Sequence, residues 1–172
     1  MRRLIEAADI QAKVVQLGRQ IADDYRGQPL TVVGVLTGAL VLVSDLIRSI
    51  DLPLRVVMIR ASSYRGKATV PGQILLDADM LPDLRDRHVL VVDDILDTGR
   101  TLARVIEHLR TAGPCSVRAA VLLSKEKERD LQCDPHYLGF KIPDEFVVGY
   151  GLDYNDEHRW LPYVAALEPG DY

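Results

Sequence analysis

Five short apolar runs, at residues 31–36, 55–59, 88–92, 117–123 and 146–150, constrain the fold more than any other feature of the chain. A strand with one wet face alternates apolar with polar residues. These runs do not alternate, so each reads as a strand covered on both faces. Between them the period changes. Ile10, Val14, Leu17 and Ile21 form one helical stripe, ended by Gly27 and Pro29. Residues 39–50 return to helical spacing after the break at Thr37-Gly38, and Leu102, Val105, Ile106 and Leu109 line a third helix that stops at Gly113-Pro114. Strands alternating with helices predict a central, mostly parallel five-stranded sheet flanked by helices, an α/β fold.

Length sets the number of such units. With 172 residues, 48% of them hydrophobic, the chain is sized for one core. A single domain is predicted, with its core at about residues 28–150. The terminal segments, about 1–27 and 151–172, fall outside the strict alternation and are expected to form a small cap, or hood, over one end of the sheet. Twenty-one basic against 25 acidic residues give a net charge of −4, which offers no broad attraction for nucleic acid or an anionic membrane. The apolar stretch at residues 30–50 is broken by Gly34, Gly38, Asp45 and Arg48, so it does not read as a membrane span. Two cysteines, Cys115 and Cys133, without metal spacing or a signal-peptide pattern, fit a reducing cytoplasm. Residues 62–72 differ from their surroundings: polar, glycine-bearing and without period, they read as a mobile flap.

Chemistry concentrates at residues 91–101. Ligands of an open α/β sheet bind beyond the carboxyl ends of its strands, and Asp93 falls where the third run is expected to stop. Asp97-Thr98-Gly99-Arg100-Thr101 then leads into a helix, whose unpaired N–H groups suit a phosphate, with threonine hydroxyls as further donors. Two adjacent acids, Asp93 and Asp94, would repel a bare phosphate. They suit the 2′- and 3′-hydroxyls of a ribose, itself able to carry a divalent cation. A phosphorylated sugar satisfies both halves.

An apolar run, two acids, two apolar residues and Asp-Thr-Gly-Arg-Thr together resemble the phosphoribosyl pyrophosphate motif of type I phosphoribosyltransferases. From about residue 36 to 159 the chain is similar in order and spacing to the hypoxanthine-guanine branch of that family. The resemblance implies a pyrophosphate loop at Thr37-Gly38, which in the family often begins with a non-proline cis peptide; many relatives carry lysine where Thr37 stands. It implies a catalytic flap bearing Ser63-Tyr64, and purine-binding residues at Lys125, Phe146, Val147 and Asp153. Lys125 corresponds to the lysine that meets the purine 6-oxo group. Asp153 resembles the aspartate holding a pyrophosphate-bound magnesium, to which Asp93 and Asp94 add further candidate carboxylates. Arg159 resembles the arginine that contacts pyrophosphate, and Asp97 the general base that accepts the purine N7 proton.

The implied activity is purine salvage: transfer of the 5-phosphoribosyl group to N9 of hypoxanthine, and of guanine, with Mg²⁺ and release of pyrophosphate, in a homodimer or homotetramer. Transfer to xanthine or another base, or an RNA-binding regulator on the same fold, are the competing readings. The acidic charge speaks against the regulator. His88, His108, His136 and His158 show no metal spacing and are read as structural, and Trp160 as packing the cap or a subunit contact.

Overall fold

The computed structural model describes residues 1–63, 74–76, 81–128 and 134–171, with residues 62, 63 and 74–76 described by their backbone. In chain order the elements are β1 (Arg2–Ile5), α1 (Ala7–Asp24), β2 (Leu30–Leu36), α2 (Leu40–Ser49), β3 (Leu54–Ser63), β4 (Ile74–Leu76), β5 (His88–Leu96), α3 (Arg100–Thr111), β6 (Ser116–Lys125), β7 (Tyr137–Ile142), β8 (Val147–Val148) and β9 (Val164–Ala166). The main sheet runs β4-β3-β2-β5-β6-β7. Five of its strands are parallel, and β4 is an antiparallel edge. A second sheet, β1-β9-β8, is antiparallel.

Strand β5 lies inside the sheet and shows why its residues 89–92 are an unbroken apolar run. Leu90 and Val92 point into a core shared with Ile10, Val14, Leu42 and Leu46 of α1 and α2. Val89 and Val91 point the other way, onto Leu102, Val105 and Leu109 of α3. Every residue of that run is therefore inside on one face or the other. The stripe predicted for α1, Ile10, Val14, Leu17 and Ile21, is buried as a set. Helix α1 packs with α2 against the main sheet and joins the large core, as do Ile5, Val147 and Val164 of the β1-β9-β8 sheet.

Three boundaries differ from expectation. The fifth parallel strand is β7, not residues 146–150. As an edge strand β7 is only intermittently buried and carries Gly139 and Lys141, so it presents no apolar run to read. Of the run at residues 146–150, only Val147 and Val148 form a strand, and they pair with Ala166 and Ala165 in the small sheet. Strand β5 continues through Asp93 and Asp94 to Leu96, because β6 keeps pairing alongside it from Val121 to Ser124. Strand β3 likewise runs to Ser63, where it meets Ile74 of β4, so the first two residues of the expected flap lie in a strand. The remainder of the flap, including Tyr64, lies outside the described residues.

Leu90→Ala is expected to remove about 2–5 kcal/mol of stability, since the side chain is fully buried in the central strand. Urea unfolding should show a lower midpoint with an unchanged slope. A loss below about 1 kcal/mol would mean that this face of β5 is not packed as described.

Candidate functional site

A cavity of about 280 Å³ opens at the carboxyl ends of the parallel strands, lined by Gly38, Asp93, Asp94, Asp97, Thr98, Gly99 and Thr101 among others. Its floor is the β5–α3 connection. Gly99 caps α3 in the left-handed region at φ 79°, a conformation that glycine adopts without strain. Its carbonyl accepts the first helical bond, from the Ala103 N–H at 2.9 Å. The cap residue has no side chain to hydrogen-bond the first turn, and the Arg100 N–H meets Thr98 Oγ1 at a long 3.5 Å, a helix end of the kind that suits an anion. Thr101 faces the same cavity.

Beside this cradle stand the two acids. Asp93 is 7% exposed and accepts the Asp94 N–H at 3.1 Å; Asp94 accepts the Ile95 N–H at 2.8 Å. Burial pushes the Asp93 carboxyl well above its ordinary range, and the neighbouring Asp94 charge pushes it further. Asp94 is raised as well, again by burial, with its hydrogen bonds and the Arg159 charge pulling back. The β2–α2 loop closes over them. A Cβ on Gly38 would collide with the Asp94 carboxylate, so only glycine lets this backbone approach. The Leu36–Thr37 peptide is cis, and Thr37 is exposed.

Beside the cavity two cations meet Asp97. Lys125 ends β6 with its side chain 11% exposed, its Nζ 3.5 Å from Asp97 Oδ2 and 3.2 Å from Asp144 Oδ1. Lys127 also meets Asp97, at Oδ1, and lies 3.4 Å from Asp144 Oδ1. Asp97 raises the proton affinity of Lys127, while Lys125 and Lys127 lower that of Asp144. Neither Lys127 nor Asp144 emerged from the sequence. The only local signal was Lys125-Glu126-Lys127, where alternate residues share a side, and Asp144 reaches the site through β7, a strand not foreseen.

Phe146 precedes β8 and is 47% exposed, edge-on to Tyr154 with ring centroids 5.5 Å apart. It is not a core aromatic; Val147 beside it is buried. Arg159 pairs with Asp153 at 2.8 Å and donates to the Gly151 carbonyl at 2.9 Å. Among the described residues no group of three or more His, Cys, Asp or Glu is arranged to hold a metal ion. His88 bonds Ser116 Oγ at 2.8 Å, at the start of β5 and β6, far from the cavity's end of the strands. Trp160 is 79% exposed and so does not pack the cap in this chain. No described helix is long and apolar enough to cross a membrane.

Comparison with known proteins agrees with this geometry. The phosphoribosyl transferase domain model matches residues 5–155. The hypoxanthine-guanine phosphoribosyltransferase of Mycobacterium avium is 41% identical over 98% of this chain and 86% of its own length. A crystal structure of a hypoxanthine phosphoribosyltransferase from Staphylococcus aureus superimposes with a TM-score of 0.92 at 40% identity, covering 99% of this chain and 93% of that one. A point mutant of the Trypanosoma cruzi hypoxanthine phosphoribosyltransferase, in a ternary substrates complex, gives a TM-score of 0.92 at 34% identity, with 99% and 97% covered.

The raised Asp93 carboxyl has a consequence for stability. Between the unfolded value of about 3.9 and the raised folded value, the native state binds more protons than the unfolded one, so stability falls as pH rises through that window. Asp93→Asn removes the buried charge and keeps the acceptor for the Asp94 N–H. It is expected to raise the melting temperature of the ligand-free protein at pH 8, with a smaller gain at pH 5. Equal shifts at both pH values would mean that Asp93 titrates as an ordinary aspartate.

Proposed function

The chain belongs to the phosphoribosyltransferase family, and within it we propose that it serves purine salvage, moving the 5-phosphoribosyl group of phosphoribosyl pyrophosphate onto N9 of hypoxanthine and guanine. One observation carries this reading: a single cavity joins a helix N-terminus with no side-chain cap to two adjacent carboxylates, Asp93 buried and Asp94 half-buried. The first suits a phosphate, the second a sugar diol, and neither explains the other.

The proposed roles divide between the two substrates. Backbone N–H groups from Asp97 to Thr101, with the Thr98 and Thr101 hydroxyls and Arg100, take the 5-phosphate. Asp93 and Asp94 accept the ribose hydroxyls. Thr37, Gly38 and Arg159 hold pyrophosphate, with the guanidinium forking onto phosphate oxygens. On the purine side Lys125 donates to the 6-oxo oxygen. An ammonium has no acceptor, so it favours a 6-oxo over a 6-amino base. The exposed Phe146 ring stacks on the base and the Val147 backbone reads its edge. As the N9–C1′ bond forms and the bond from C1′ to the pyrophosphate oxygen breaks, with inversion, Asp97 accepts the N7 proton. The flap bearing Ser63 and Tyr64 excludes water from the reacting centre.

Magnesium fits the acid pair. Two buried carboxylates that repel each other are relieved by a divalent cation, and together with substrate oxygens they match the ligand set magnesium prefers. Asp93, Asp94 and Asp153 are the residues that would hold it, and the ion, when bound, neutralises charge on the departing pyrophosphate. Two or four copies in the cytoplasm complete the reading. Trp160 stands exposed beside Val41 of α2, around a groove of about 360 Å³. Sedimentation as a monomer would remove that part.

The deciding assay supplies phosphoribosyl pyrophosphate, Mg²⁺ and a panel of bases including hypoxanthine, guanine, xanthine and adenine. Nucleotide is expected from hypoxanthine and guanine; no product from any base would overturn the transferase. Asp97→Asn should lower kcat by about 10²–10⁴ in a folded protein, the range of general base catalysis, and an unchanged kcat would strip Asp97 of that role. In Lys125→Ala the KM for hypoxanthine should rise while that for the donor is kept. An equal rise in both would place Lys125 outside the purine site.

A further inference from the structure

The four charges at the purine rim form a closed ring, and its geometry bears on how Lys125 becomes available. Lys125 bridges Asp97 and Asp144, and Lys127 bridges the same two carboxylates from the other side. The backbone builds this arrangement. Glu126 N–H donates to the Ile142 carbonyl at 2.8 Å, carrying β6–β7 pairing past the end of β6. Lys127 N–H then donates to the Lys125 carbonyl at 3.1 Å, which turns the second lysine back toward the first. Across the gap, Glu145 N–H donates to the Pro143 carbonyl at 2.8 Å and fixes the turn that presents Asp144.

We propose that Lys127 and Asp144 are positioning residues that free Lys125 from Asp97 when a 6-oxopurine enters; this rests on the transferase reading above. The longer of its two contacts, 3.5 Å to Asp97 against 3.2 Å to Asp144, is the one Lys125 gives up when it donates to the purine oxygen. If those two were an isolated pair, parting them would leave a largely buried ammonium and the proposed base each without a counter-ion. In the ring, neither is stranded. Lys127 stays on Asp97, Asp144 stays on Lys125, and the sum of two cations and two anions is unchanged. Lys127 also fixes one oxygen of Asp97, which leaves Oδ2, the oxygen Lys125 vacates, to face the purine N7. The raised proton affinity of Lys127, caused first by Asp97, agrees with a cation held there in the empty site.

Steady-state kinetics of Lys127→Gln, Asp144→Asn, the double variant and Lys127→Arg test this. The two aspartates are about half exposed, so the expected effect is modest: a roughly three- to tenfold rise in KM for hypoxanthine in each single variant. KM for the donor should stay within about twofold and kcat should move less than the base KM, because donor contacts lie elsewhere in the cavity. The double variant should be no worse than the poorer single one, since both break the same ring. Lys127→Arg, which keeps the charge, should recover most of the loss. An unchanged base KM in both single variants, parallel rises for base and donor, or additive losses in the double variant would each overturn the proposal while leaving the transferase intact. No nucleotide from the wild-type protein with any base would overturn the transferase itself, and this inference with it.

Discussion

The central strand β5 must be apolar on both faces and yet end in acid, and the rest of the molecule follows from meeting both demands. Four consecutive residues, Val89 to Val92, feed alternately into the core under α1 and α2 and the core under α3. The next two, Asp93 and Asp94, are still inside the sheet, paired alongside β6, when they reach the cavity. Burial there raises their proton affinity, so the pair opposes folding near neutral pH. A stabilising sequence would not place them so. That they stand beneath a glycine that admits no side chain, and beside a helix end with no side-chain cap, marks the spot as built for a ligand that repairs the charge.

The same reasoning explains which parts of the fold were legible in the sequence. β2, β5 and β6 are flanked on both sides and covered on both faces, so their burial is continuous and their apolar runs are plain. β7 is bounded by one neighbour only, carries polar residues, and leaves no such run, which is how residues 146–150 came to stand in for it. The short strands β1 and β9 owe their pairing to each other across the whole length of the chain, a relation with no local signature. The acids were expected just past a strand end because they are polar. Sheet pairing takes no account of that while a neighbouring strand continues.

The candidate site divides along the same line. Asp93 to Thr101 is one continuous strand–turn–helix, so residue type and spacing alone suggest both the proposed phosphate cradle and the proposed diol acceptors. Lys125, Asp153 and Arg159 are brought in by separate elements, and only family resemblance pointed to them. Asp153 and Arg159 do lie together, 2.8 Å apart, while Lys125 meets Asp97 across the rim. Lys127 and Asp144 escaped both routes. Their significance comes from a contact between the turn after β6 and the turn after β7, and a solvated lysine and aspartate look the same in sequence as a pair that meets in the fold.

The two ends of the cavity therefore handle charge in opposite ways. At the sugar end two like charges are forced together, and the empty site favours whatever hydroxyl or cation will share them. At the purine end opposite charges are balanced in a ring, so a neutral base can exchange one contact for another without creating an unpaired ion. Such a division suits the substrates: the donor is a polyanion whose binding must be driven by several charged contacts, whereas a purine brings no net charge to offset the separation of an ion pair. Asp97 belongs to both, lining the cavity from the β5–α3 connection with its carboxylate held in the ring, so the proposed proton acceptor links the two.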